Sequence, residues 1–216
     1  MGTDANANGV NVTASGTGSR AVGTNTKAQG VNAYASGVNA VASGTSATAI
    51  GTNVRAMGTG ASASGLNAFS TGVGATASGT NVRAEGTSAS ASGLNTSASG
   101  SGAQSSGVNS FAQGVAAVAD GTNVSAVGTS AEATGTNTQS SGTNARAIGF
   151  NAVAQGTDAM AEGRNVIAIG TGARALGYNT NVVAIGTDAF ANGTSVIALG
   201  ERARASTGYS TAVGFN

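Results

Sequence analysis

Small residues occupy two of every seven positions along almost the whole chain, and each pair is followed by a glycine. Glycine recurs at a spacing of seven from Gly2 to Gly177, which makes 26 glycines without a miss. Counted from its glycine, every one of the 25 complete units has alanine, valine, threonine or serine at position four, and 22 have alanine at position six. Positions four and six lie on the same side of a β-strand. The pattern therefore predicts one short strand and one glycine turn in each unit.

A coiled coil also has a seven-residue period, but it does not fit these residue types. Glycine inside a helix costs roughly 1 kcal/mol relative to alanine, and every heptad would contain one. The chain also lacks the large apolar residues that fill the core positions of a coiled coil. We therefore favour the strand interpretation.

A second period of 14 residues lies within the first. The third position of every other unit is asparagine, from Asn11 to Asn179, whereas the interleaved third positions are mixed. Asparagine tolerates the left-handed turn conformation, and stacked copies can link their side-chain amides. Two strands and two different turns per coil predict an all-β fold, a flattened parallel β-roll (a β-solenoid) that forms a single domain over residues 1–216. About 15 coils at ~4.8 Å each would give a rod of about 70 Å.

Composition removes most kinds of chemistry. The net charge is +1, which gives no electrostatic reason to expect a nucleic-acid partner. Cysteine and histidine are absent, so disulfides, thiolate metal sites and the commonest general base are excluded. The eight acidic residues are spread thinly, and no apolar run is long enough to span a membrane. We expect no enzyme activity, no cofactor, no metal and no direct membrane insertion by this sequence.

The outward positions five and seven differ between the two strands of each late coil. In the asparagine-type strands they are apolar, so these strands are predicted to be covered on both sides. This set is Ile167, Ile169, Val183, Ile185, Ile197, Leu199 and Val213. The alternate strands present Arg174, Phe190 and Arg204, which we expect to meet water. Because the core is thin, the apolar set is predicted to be an interface with other subunits. Before about residue 140 both outer faces are rich in serine and threonine, and the inward one is not distinguished.

Two sets of three residues place a phenylalanine between arginines at position five of successive coils. They are Arg55, Phe69 and Arg83, and later Arg174, Phe190 and Arg204. With neighbouring strands ~4.8 Å apart, each ring is predicted to be covered by a guanidinium on both sides. Arginine and aromatic residues are favoured in binding hot spots, so the later set is a candidate exposed adhesive stripe. The alternative is surface packing that shields an exposed ring.

The stretches NVIAIG from 165, NVVAIG from 181 and SVIALG from 195 resemble the repeats of a known family. It is the YadA-like head of trimeric autotransporter adhesins, whose repeats read like NSVAIG. The stretch GERARASTGYSTAVGFN from 200 is similar to later head repeats of that family, with Thr207 at the expected glycine position. The resemblance implies a left-handed parallel β-roll that forms a homotrimer on the Gram-negative cell surface. It also implies attachment to host extracellular matrix or a cell-surface receptor, with the outer-membrane anchor supplied by segments outside this sequence.

Two other functions fit a repeat of this kind. A passive spacer in a surface fibre needs no ligand and would leave the same pattern. An ice-binding β-solenoid uses flat ranks of hydroxyl groups, and three successive coils offer one. Those residues are Ser62, Ser64, Thr76, Ser78, Ser90 and Ser92.

Overall fold

The computed structural model describes residues 2–177 and 181–215. Within these ranges the regular structure consists of strands, and no helix is long and apolar enough to cross a membrane. Residue contacts divide the chain into two compact units, Met1–Gly107 and Val108–Asn216. The single domain predicted over residues 1–216 stays a prediction.

The first unit is built from short strands joined by tight turns. These are β1 (Asn6–Val10), β2 (Thr13–Ser15), β3 (Arg20–Thr24), β4 (Lys27–Gln29), β5 (Tyr34–Val38), β6 (Val41–Ser43), β7 (Thr48–Thr52), β8 (Arg55–Met57), β9 (Ser62–Leu66), β10 (Phe69–Thr71), β11 (Thr76–Thr80), β12 (Arg83–Glu85), β13 (Ser90–Leu94) and β14 (Ser97–Ser99). Strand β15 (Gln104–Gln113) contains the residue at which the two units are divided.

The second unit follows the same plan. Its strands are β16 (Val118–Val127), β17 (Glu132–Thr136), β18 (Gln139–Ser141), β19 (Arg146–Phe150), β20 (Val153–Gln155), β21 (Met160–Arg164), β22 (Val166–Ile169), β23 (Arg174–Gly177), β24 (Val182–Ile185), β25 (Phe190–Asn192), β26 (Val196–Leu199), β27 (Arg204–Ala205) and β28 (Thr211–Val213).

Within each unit, strands pair in parallel with the strand one coil further along the chain. In β1 and β3 the register joins Asn6 to Arg20, a separation of 14 residues, and the same offset recurs through the first unit. The pairs form two walls. The long-strand wall, named after the five-residue strands that form most of it, contains β1, β3, β5 and their successors, and in the second unit β17, β19, β21 and the shorter β23, β25 and β27. The short-strand wall contains the asparagine-type strands, ending with β22, β24, β26 and β28. The predicted parallel β-solenoid with a 14-residue coil is confirmed.

Positions four and six form the core between the two walls. Alanine fills most of these sites, and valine widens the core at single sites such as Val54, Val82 and Val166, all at most 1% exposed. The first coil is the exception, since all five residues of β1 are exposed, Ala7 included. Terminal coils have a neighbour on one side alone, so their inward side chains remain in contact with solvent.

Glycine opens most of the turns, and at most of them the next coil approaches too closely for a side chain. At Gly86, φ is +124°, and a Cβ atom would lie 2.5 Å from the carbonyl oxygen of Gly100. Both the positive φ and the close approach exclude other residues. The glycine turn itself was predicted from the sequence, and the close approach arises from the stacking of the coils.

The repeat is irregular at two places late in the chain, and strand pairing continues across both. Val166 pairs with Val182 instead of residue 180, so two additional residues precede β24, and the predicted Asn179 lies outside the described residues. Near the end of the chain, the amide of Tyr209 donates to the carbonyl of Thr194 at 2.8 Å, and its φ is 58°. Tyr209 therefore occupies the turn position two residues after Thr207, as expected if Thr207 replaces the repeat glycine.

Candidate functional site

The apolar outward residues of the second unit lie together on the short-strand wall. We define the apolar stripe as Ile167, Ile169, Val183, Ile185, Ile197, Leu199 and Val213. Strand pairing aligns position five from Ile167 to Val183 to Ile197, and position seven from Ile169 to Ile185 to Leu199 to Val213. All seven residues selected from the sequence therefore belong to two adjacent rows on one surface.

The apolar stripe is only partly buried by its own chain. Ile185, Ile197 and Val213 are 38%, 37% and 74% exposed, and the other members are half-buried. Along the rows each side chain except the terminal Val213 has a paired neighbour on both sides, and Val213 has one, Leu199. The outward ends of Ile185, Ile197 and Val213 remain exposed. A contiguous apolar surface of this kind is characteristic of an interaction site.

The opposite, long-strand wall of the second unit holds the candidate adhesive stripe, Arg174, Phe190 and Arg204. The three residues pair directly across β23, β25 and β27. The guanidinium carbon of Arg174 lies 5.8 Å from the ring centroid of Phe190, and that of Arg204 lies at 5.5 Å. Both arginines are exposed, while the ring between them is half-buried. The two-sided cation–π arrangement predicted from the sequence is confirmed at this site.

The earlier set behaves differently on one side. Phe69 pairs with both Arg55 and Arg83, but the cation–π contact, at 5.3 Å, is with Arg83. The Nε of Arg55 donates instead to the Sδ of Met57 at 3.1 Å. Met57 lies two residues along the same strand face, so it competes with the ring for the guanidinium. The prediction that Phe69 is covered on both sides was therefore wrong.

Other arginine and aromatic pairs follow the same 14-residue rule but were missed. Arg164 lies over Phe150 at 5.4 Å, and Arg20 lies over Tyr34 at 5.9 Å. Phe150 and Arg164 stand at position two of their units, which the sequence pattern assigned to a turn. In the structure the long strands extend through this position, so its side chains belong to the wall. The 14-residue spacing was the signal available in the sequence.

The asparagine-type corner carries a continuous amide ladder in each unit. In the first unit, each side-chain Nδ2 from Asn11 to Asn81 donates to the Oδ1 of the next asparagine at 2.9–3.1 Å. In the second unit the ladder runs from Asn109 to Asn165 at 2.9–3.2 Å. These asparagines have φ near 55°, as expected for the left-handed turn. The side-chain amides of the ladder therefore bond to one another and link successive coils.

The hydroxyl rank proposed for ice binding also lies on one surface. Strands β9, β11 and β13 pair in register, which aligns Ser62 with Thr76 and Ser90, and Ser64 with Ser78 and Ser92. The hydroxyl of Ser64 donates to that of Ser78 at 3.2 Å. At least one pair of these groups therefore bonds within the rank.

Charged groups are scattered, and their contacts lie on the surface. Arg83 donates a hydrogen bond to the carboxylate of Glu85, and this bond raises the pKa of the guanidinium above its ordinary value. Arg146 pairs with Glu132 at 3.1 Å. Over residues 2–177 and 181–215, no cluster of three acidic, histidine or cysteine residues could hold a metal ion.

The walls and the amide ladder together define a repeat-built parallel β-solenoid. The family model for the YadA head domain repeat matches residues 14–33, 28–53, 105–131, 147–173, 183–200 and 191–216, which is more than half of the chain. The chain therefore belongs to the YadA head domain family, whose repeats are typical of trimeric autotransporter adhesins. Domains of this family are exposed on the bacterial surface and are generally not enzymes. No curated protein matches the chain.

Proposed function

We propose that this chain is the head of a trimeric autotransporter adhesin that attaches the bacterium to host extracellular matrix or to a cell-surface receptor. The observation that carries the proposal is the contrast between the two walls of the second unit. One wall carries the apolar stripe, and the other carries exposed arginines stacked on Phe190. The first suits contact between subunits, and the second suits contact with a ligand.

The apolar stripe supports the assembly of several chains around it. Covering the exposed part of each side chain contributes roughly 1 kcal/mol per residue, which a core made mostly of alanine cannot supply elsewhere. Identical chains that share one wall can close around a symmetry axis and avoid open-ended fibres. The number three comes from the family, and the location comes from the stripe. Other segments of the adhesin would supply the anchor in the outer membrane.

The trimer is tested by two matched variants of the second unit. The double substitution Ile185→Lys and Leu199→Lys would place six ammonium groups around a poorly hydrated axis, where they repel each other and lose hydration. We expect monomers or aggregates in multi-angle light scattering. The control Phe190→Lys also replaces an outward apolar residue with lysine, but on the opposite wall, and it should leave the trimer intact. A monomeric parent, or a trimer that tolerates lysine at 185 and 199, would refute this arrangement.

Adhesion itself is tested with beads coated with the trimeric chain. We expect the beads to bind host cells or at least one component of a panel of matrix proteins, and soluble trimer should compete for that binding. A trimer that binds none of them would support the alternative, a passive spacer. Ice binding predicts thermal hysteresis from the Ser64 and Ser78 face, which the adhesin proposal does not.

A further inference from the structure

Over the last five strands of the long-strand wall in the second unit, position five alternates between a cation and an apolar residue, and Glu132 stands at this position just before them. We define the arginine row as Arg146, Met160, Arg174, Phe190 and Arg204, which pair successively across β19, β21, β23, β25 and β27. Adjacent parallel strands are ~4.8 Å apart, so the guanidinium groups recur about every 9.6 Å. Met160 and Phe190 occupy position five of the intervening coils, and both are half-buried.

Acidic residues on the neighbouring corner alternate out of phase with the arginines. Asp158 and Asp188 occupy the left-handed turn positions two residues before Met160 and Phe190, with φ of 56° and 57°. The corresponding corner position before Arg174 is Gly172. An anionic ligand lying along this surface would therefore meet a guanidinium on one coil and a carboxylate on the next.

The two arginines at the end of the row are held in place and are available to a ligand. Stacking on Phe190 restricts the guanidinium groups of Arg174 and Arg204 at 5.8 and 5.5 Å from the ring centroid. In the described part of the chain neither forms an ion pair with a carboxylate, whereas Arg146 is partly neutralised by Glu132. Glu162 lies on the same wall, paired across the strands with Leu176. The row is therefore moderately and periodically positive, not a dense basic patch.

We propose that the arginine row binds a linear acidic polysaccharide with one carboxylate per disaccharide. An extended disaccharide is close in length to two turns of the solenoid, so successive carboxylates can each meet a guanidinium. Met160, and the edge of the Phe190 ring that the two guanidinium groups leave open, then face the C–H surfaces of the intervening sugar. A polymer with a charge on every sugar would bring alternate charges beside Asp158 and Asp188. Double-stranded DNA, with one charge per ~1.7 Å of axis, fits the spacing less well still.

This inference rests on the proposed function, because it takes the wall opposite the apolar stripe to be the ligand-binding wall. Its test is direct titration of the trimer with defined polymers at low ionic strength. The probes are hyaluronate oligosaccharides with one carboxylate per disaccharide, polygalacturonate with one per sugar, neutral dextran and duplex DNA. We expect hyaluronate to bind most tightly, with affinity that rises with oligosaccharide length and falls with added salt. Tighter binding of polygalacturonate or DNA, or equal binding of dextran, would overturn the proposal without reference to any variant.

Two pairs of variants test the residues. Arg174→Ala with Arg204→Ala should weaken hyaluronate binding by about tenfold or more, since two charge-assisted contacts are lost. The matched control is Arg55→Ala with Arg83→Ala, which removes two arginines around Phe69 in the first unit and should change affinity by less than about twofold. Asp158→Asn with Asp188→Asn should strengthen polygalacturonate binding by about tenfold while leaving hyaluronate nearly unchanged. Equal losses from the two arginine pairs would refute the assignment.

The outcomes for this inference and for the proposed function are separable. If light scattering shows a trimer and coated beads bind host material, but hyaluronate does not bind, the polysaccharide site is wrong and the adhesin proposal stands. If the parent is monomeric and the beads bind nothing, the proposed function itself fails.

Discussion

Replacing a buried threonine of the core by valine should stabilise this protein. Thr138, in the turn before β18, is fully buried, and its hydroxyl has no hydrogen-bond partner. The equivalent site one coil earlier is Val124, which is also buried. Valine and threonine have nearly the same shape, so the site accommodates Thr138→Val without rearrangement. The substitution replaces an unpaired hydroxyl by a methyl group.

The expected gain combines two effects. A buried hydroxyl without a partner costs about 1 to 3 kcal/mol, because it has given up its bonds to water. A buried methyl group adds up to about 0.8 kcal/mol. Since a threonine hydroxyl can recover part of its cost by local relaxation, we expect a net gain of about 1 to 2 kcal/mol. For a chain of this size, each kcal/mol of added stability raises Tm by roughly 2 to 4 °C.

The same reasoning applies in the first unit, where it also tests additivity. Thr26 and Thr96 are buried with unpaired hydroxyls and lie five turns apart, about 24 Å. Residues that far apart do not share contacts, so the gains from Thr26→Val and Thr96→Val should add.

The assay is thermal and guanidinium unfolding followed by circular dichroism, at one protein concentration throughout because oligomer stability depends on concentration. Ser140→Ala is the matched control, since the hydroxyl of Ser140 donates to the carbonyl of Ala145 at 2.6 Å. Removing a satisfied bond should cost about 0.5 to 1.5 kcal/mol. The two substitutions should thus have opposite signs. If Thr138→Val destabilises the protein as Ser140→Ala does, the threonine hydroxyl is not an unpaired group.

Two further predictions concern the turns. Gly86→Val should cost at least about 3 kcal/mol or abolish folding, because φ is +124° and the new Cβ would meet the carbonyl of Gly100. Ser90→Glu, on an exposed site of the same coil, should stay within about 0.5 kcal/mol in the same melts; equal tolerance at both sites would contradict the packing of the turns. Asn53→Ala should cost about 1 to 2 kcal/mol, since it breaks the ladder bonds to its neighbours at 2.9 and 3.1 Å and retains φ near 56°. Asn53→Gly should recover about 1 kcal/mol of that loss in guanidinium unfolding by relieving φ alone, and no difference between the two would show that the left-handed conformation is not a cost.

The repeat itself could be predicted from the sequence because its causes are local. Alternation of side chains along a strand places positions four and six on one side, and the absence of large or charged residues there identifies the inside. Asparagine at every fourteenth residue indicates a left-handed corner, which the structure has at Asn53 and its equivalents. The apolar stripe followed from the same counting, since position five and position seven share the other side of the strand.

What the sequence could not determine depends on contacts between coils. The seven-residue units follow one sequence pattern, yet the strands of the long-strand wall continue through position two. Phe150 in β19 and Arg164 in β21 are examples. Backbone pairing with the next coil decides that extent. The guanidinium of Arg55 donates to the sulfur of Met57 instead of stacking on Phe69, because both groups lie within reach of this flexible side chain. The close approach of Gly86 to Gly100, and the unpaired hydroxyl of Thr138, likewise exist only once the coils are stacked. A local period fixes which side of the strand a residue occupies, but the partner it meets there is set by residues 14 positions away and by the shape of the space between them.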